Sequence, residues 1–105
     1  MDHYEGLSDV VVHSRGVVTA SEQVYAHDAI ARLAPLVDAR MTARVDLEMT
    51  LDPQAFALAT AALMVGAERL DARAEAESVI VAVDVLEATL RARLGGESAR
   101  ISGRR

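Results

Sequence analysis

Every basic side chain in this chain is an arginine: eleven Arg, no Lys. Arg differs from Lys in carrying a planar fork that makes paired hydrogen bonds to phosphate or carboxylate oxygens. Five of the eleven are spaced to act together. Arg91 and Arg93 flank a leucine seam, one on each side, and Arg32 points away from the apolar pair Ile30 and Leu33. Arg40 and Arg44 follow near the entry to a strand-like segment. If two helices lie side by side on a sheet, these residues form an Arg-bearing strip suited to RNA phosphate. The competing reading is that they pair with nearby acids such as Glu87 and Asp28 as ordinary surface charge. The global balance favours that second reading. Sixteen acidic residues give a net charge of −5, whereas phosphate contacts need positive charge. The distribution is uneven, however: the last fifteen residues carry Arg91, Arg93, Arg100, Arg104 and Arg105 against Glu97 alone.

Other chemistry is not signalled, so no enzymatic activity, cofactor or metal is expected. The chain has no G-x-S-x-G elbow, P-loop or G-x-G-x-x-G, and no cysteine for thiolate, disulfide or metal chemistry. His3, His13 and His27 lack metal-ligand spacing and read as surface histidines. A carboxylate pair such as Asp46 and Glu48 reads as the wet face of a strand. Tyr4, Tyr25 and Phe56 are the only aromatics, and none sits in a strand pattern for stacking bases.

These side chains are carried by a succession of short elements. Val10 to Val12 favour a strand within Asp9 to Arg15, and Gly16 ends it. Thr19 or Ser21 can cap a helix with Glu22 in its first turn, and Ala26, Ile30, Leu33 and Val37 then recur as one stripe. Pro35 lacks an amide donor and ends or kinks that helix. Ala43, Val45, Leu47, Met49 and Leu51 alternate with polar residues, so one face of this strand meets a core and the other meets water. Asp52-Pro53-Gln54 makes a turn, Phe56 to Val65 is apolar throughout, and Gly66-Ala67-Glu68 reads as a hairpin connection. Leu70, Ala72, Ala74 and Ala76 alternate again. Ser78 caps a helix whose seam is Val79, Val83, Leu86, Leu90 and Leu94, with Gly95-Gly96 as its expected stop.

The order β-α-β-β-β-α predicts an α+β fold in two layers: a four-stranded sheet with two helices on one face. Ile30, Leu33, Val45, Leu47, Leu63, Val65, Val83, Leu86 and Leu90 are the expected core. Residues 1–8 read as a loose lead-in, 9–94 as one domain, and 95–105 as a flexible Arg-containing tail or the start of a linker. No signal peptide is apparent and no apolar run approaches the ~20 residues of a membrane span, so a cytoplasmic location is expected, with no membrane partner. If Leu63 and Val65 face the helices, then Phe56, Leu58 and Met64 face the other way. They would form an apolar contact surface for a second copy of the chain or for a downstream domain, unless a bulge turns some of them inward.

The segment LMVGAERLDARAEAESVIVAVDVLEATLRARL, Leu63 to Leu94, resembles the last hairpin and final helix of the ribosome hibernation-promoting factor family, also called ribosome-associated inhibitor or protein Y. The A-V-D-x-L at Ala82 to Leu86, the helix YAHDAIARLAPL and the A-R-V-x-L at Ala43 to Leu47 fit the same family, so the resemblance spans roughly residues 9–94. It implies a sheet and helices like those of double-stranded-RNA-binding domains. It also implies a translation inhibitor that binds 16S rRNA of the small ribosomal subunit, in the channel of messenger and transfer RNA, during dormancy or stress. Basic residues on both helices would do this, with Arg32, Arg91 and Arg93 on the matching positions. Ala29 and Thr89 stand where the pattern leads one to expect further basic residues. Longer members carry a second, dimerising domain, to which residues after Gly95-Gly96 would lead. The alternative is a protein-interaction or dimerisation module of the same fold that has lost RNA binding.

Overall fold

The structure is a computed structural model and describes residues 8–103, with side chains described for residues 9–95. The order is β1 (Ser8–Gly16), α1 (Ala20–Ala31), a 3₁₀ turn (Ala34–Leu36), β2 (Met41–Thr50), β3 (Phe56–Val65), β4 (Glu68–Ala76) and α2 (Val79–Gly103). The strands form one sheet in the order β1-β2-β3-β4. β1 is parallel to β2, and β2, β3 and β4 make an antiparallel meander. The parallel pair follows from α1, which carries the chain back over the sheet before β2 begins. Since β1 and β4 point the same way, the helices that follow them also run in the same sense.

Local chemistry sets the element ends. At the start of α1 the Glu22 amide donates to the Thr19 hydroxyl at 3.1 Å, and the Thr19 amide donates to the Glu22 carboxylate at 2.9 Å. This reciprocal capping box selects Thr19 over Ser21. Ser78 accepts from the Val81 amide at 3.2 Å and caps α2. Pro35 lies within the 3₁₀ turn, where its missing donor costs nothing to α1, already ended at Ala31. Gly16 has φ +82, and a Cβ there would fall 2.1 Å from the Met49 carbonyl oxygen, so only glycine fits. Gly66 has φ +62 and opens a two-residue turn between β3 and β4, while Ala67 keeps a negative φ. That combination is the type II′ hairpin turn.

The core lies between the helices and one face of the sheet. Ala43, Val45 and Leu47 of β2, Ala57, Ala59, Ala61 and Leu63 of β3 and Ala74 of β4 are buried against Ala26, Ala29, Ile30 and Leu33 of the first helical segment. Val79, Ala82, Val83, Leu86, Leu90 and Leu94 complete it from α2. The expected core residues are buried except Val65, which is half-buried because it lies at the hairpin end of β3. Met41 joins the core as the first residue of β2, and Leu51, one residue past the strand's end, is exposed.

Two expectations need correction. The stripe on α1 does not reach Val37, which lies beyond the helix and is half-buried. Gly95-Gly96 does not stop α2, whose backbone stays helical to Gly103. A glycine ends a helix by turning left-handed, and Gly95 does not: positive φ among the described residues is confined to Gly16 and Gly66. In a right-handed turn it costs only about 1 kcal/mol against alanine. The expected lead-in lies outside the described residues up to position 7, and so do Arg104 and Arg105.

Leu86 is wholly buried at the centre of the seam. Leu86→Ala is expected to lower the unfolding free energy by about 2–5 kcal/mol through the cavity it leaves, measured by denaturant titration. An effect under about 1 kcal/mol would contradict its central place.

Candidate nucleic-acid interface

The two helices meet along a seam bridged by polar side chains. The Tyr25 hydroxyl on α1 donates to the Asp84 carboxylate on α2. One turn and more further along, Arg32 donates to Glu87 at 3.2 Å, and Arg91 donates to the other oxygen of the same carboxylate at 2.7 Å. Glu87 is thus held between two guanidinium groups. Its side chain is only 14% exposed, whereas those of Arg32 and Arg91 are about half exposed, at 55% and 46%. Two cations surround the Glu87 carboxylate, while the Asp84 carboxylate lies one turn away on the same seam.

Burial alone pushes the Glu87 carboxyl up. The hydrogen bonds and charges of Arg91 and Arg32 outweigh that and hold it below the ordinary carboxylate range. The hydrogen bond to Asp84, helped by burial and by the Asp84 charge, holds the Tyr25 phenol above its ordinary value.

The five arginines do not form one strip. Arg32 and Arg91 come together. Arg93 projects from the other flank of α2 and donates to the main-chain carbonyl of Asp71 on β4. Arg40 is exposed in the turn before β2, its carbonyl accepting from the Gly66 amide at 3.0 Å. Arg44 lies between the buried Ala43 and Val45, so the pleat turns it to the opposite, open face of the sheet, where it pairs with Asp46 at 3.3 Å. Pairing with acids therefore holds for Arg32, Arg44 and Arg91. Asp28 instead meets His27 at 3.1 Å. Ala29 cannot mark a missing surface cation, since its position is fully buried, and Thr89 is half-buried.

The open face carries charge in self-paired sets. Arg69 bonds Asp71 at 3.1 Å and Arg73 bonds Glu75 at 2.7 Å, each two residues apart on β4. Sequence reasoning passed over these pairs, although the Arg-x-Asp and Arg-x-Glu spacing on an alternating strand was the signal for them. Phe56, Leu58 and Met64 do point to this face, because β3 pairs with both neighbours in unbroken register. Phe56 and Met64 are each 40% exposed, but Thr60 and Ala62 separate Leu58 from Met64. Two surface hollows are lined mainly by residues of this face and a third also takes in Thr89 and Arg93 of α2; several lining residues are already ion-paired. Among the described residues no cluster of three side chains could hold a metal, and no helix is long and apolar enough to cross a membrane.

The fold has known counterparts. The N-terminal domain of Thermus thermophilus Protein Y superposes with a TM-score of 0.68 at 18% identity, covering 82% of this chain and 94% of that one. A ribosomal subunit interface protein from Coxiella burnetii gives 0.64 at 13% identity, covering 84% of this chain and 97% of that one. The likeness is one of fold. No protein-family model and no curated protein matches the sequence.

Because the folded-state carboxyl of Glu87 is depressed, its contribution is complete above the unfolded-state value and is lost as pH falls through the folded one. Glu87→Gln is expected to cost about 1 kcal/mol at neutral pH, since its arginine partners are half exposed. The gap between wild type and variant in chemical unfolding should close below the ordinary carboxylate range. A gap that persists at pH 2 would mean that the charge is not its source.

Proposed function

We propose that this protein is a ribosome-associated translation inhibitor acting in the cytoplasm, one that binds small-subunit 16S rRNA in the channel of messenger and transfer RNA during dormancy or stress. The observation that carries the proposal is the fold shared, over nearly their whole length, with a Protein Y domain and a ribosomal subunit interface protein. Arg32 and Arg91 are the proposed centre of the RNA contact. Glu87 holds both guanidinium groups at the surface with donor capacity to spare, and phosphate oxygens can take up those donors. Arg40, Arg44 and Arg93 are proposed as peripheral contacts on other faces. The role needs neither catalysis nor a cofactor.

A second reading has its own observation. Asp28, Asp84 and Glu87 interleave with Arg32 and Arg91 on the helix layer, which repels a polyanion except near the arginine pair. On this reading the fold serves protein contacts, with Phe56, Leu58 and Met64 on the open face as the contact residues for a second copy or a downstream domain.

Cosedimentation with purified small subunits across a salt series separates the two. Counterion release predicts that log affinity falls linearly with log salt by about 0.7–0.9 for each phosphate neutralised. Arg32→Ala/Arg91→Ala should weaken binding and flatten that slope by about two. Failure of the wild type to cosediment even at low salt rules the ribosome reading out.

A further inference from the structure

The two edges of the sheet are finished differently. β4 carries Arg69, Asp71, Arg73 and Glu75 on its open face, tied into pairs along the strand, and Arg93 caps the main-chain carbonyl of Asp71. Charged side chains and a covered edge are the usual protection against pairing with another strand. β1 is the other edge among the described residues, with β2 on one side only. Nine residues long, it is built around Val10, Val11 and Val12. Alternate main-chain amide and carbonyl groups of such a strand point away from the sheet. Val11 is 49% exposed on the open face, and Val10 and Val12 are only half-buried at the rim of the core. Its charges stand at opposite ends of the strand: Asp9 at one and Arg15 at the other, both exposed and both on the open face with Val11 and His13.

We infer that β1 pairs antiparallel with β1 of a second copy about a two-fold axis through Val12, joining two four-stranded sheets into one. In this register Asp9 faces the partner's Arg15 and Arg15 faces the partner's Asp9. Val11 faces the partner's His13, Val10 the partner's Ser14, and Val12 its own equivalent. Both charge pairs are matched on the open face, and on the helix side the half-buried Val12 covers its own equivalent while Val10 meets the partner's Ser14. Parallel pairing in register would instead oppose Asp9 to Asp9 and Arg15 to Arg15, so charge selects the antiparallel arrangement. The axis can pass through a hydrogen-bonded or a non-hydrogen-bonded residue pair, because an antiparallel ladder contains both. The inference does not rest on ribosome binding: it uses one edge of the sheet, whereas Arg32 and Arg91 lie on the seam between the helices.

Charge reversal tests it. Sedimentation of the full chain over a concentration series should show a monomer–dimer equilibrium for wild type. Asp9→Arg and Arg15→Asp each place two like-charge contacts in the dimer and should weaken it roughly tenfold. The double variant Asp9→Arg/Arg15→Asp should return to wild-type association, which a merely damaged strand could not do. Both side chains are exposed, so thermal unfolding of each variant should stay near wild type. As a second readout, amide exchange across Val10–Ser14 should slow as wild-type concentration rises. A monomeric wild type, a dimer indifferent to the single reversals, or a double variant no better than the singles overturns the inference.

Discussion

The close approach of helices to sheet depends on alanine. Ala57, Ala59 and Ala61 line the inner face of β3, Ala43 and Ala74 flank them on β2 and β4, and Ala26, Ala29 and Ala82 meet them from above. Small side chains on both surfaces let the two layers come together without aromatic filler, of which the chain has almost none. Each alanine removes little apolar area from water. Cohesion therefore falls on a few larger residues seated between them, Ile30, Leu33, Met41, Leu63, Leu86 and Leu90. The same closeness is why Ala29 is sealed from solvent. It also brings α1 and α2 together so that Tyr25 can reach Asp84 and Arg32 can reach Glu87.

How far the sequence spoke for the fold depended on the period of each segment. β2 and β4 alternate strictly and could be read to within a residue or two. The α2 seam was equally plain. β3 is apolar on both faces, so its extent was legible but its orientation was not; that needed the register with β2 and β4. The glycine pair at 95 and 96 misled because glycine permits a left-handed stop without requiring one. Capping of α1 was ambiguous between Thr19 and Ser21, and only the reciprocal bond from Glu22 decides it.

The arginines were harder, because a side chain's face is fixed by its element while its partner is fixed by the tertiary fold. Arg44 could have been placed on the open face from strand parity alone, since Ala43 and Val45 were read as core. That Arg32 and Arg91, fifty-nine positions apart (91 − 32), share one carboxylate follows only from helix packing. Glu87 was visible as a neighbour of Arg91 at helical spacing; its bridge to Arg32 was not. Among the residues whose side chains are described, Arg32, Arg44, Arg69, Arg73 and Arg91 are each tethered to a carboxylate in small groups instead of forming a broad basic surface.

The shared direction of the two helices has an electrostatic meaning of its own. In a bundle of alternating helices the peptide dipoles oppose one another. Here α1 and α2 begin at the same end of the sheet, beside the C-terminal ends of β1 and β4, so their dipoles add. Each contributes about half a positive charge at its start and half a negative charge at its finish. The peptide dipoles alone make the end at Thr19 and Ser78 the more positive, and the Glu22 carboxylate in the first turn of α1 already offsets part of that charge. Arg32 caps the opposite end of α1, so side-chain charge and peptide dipole draw an anion toward different ends of the same helix.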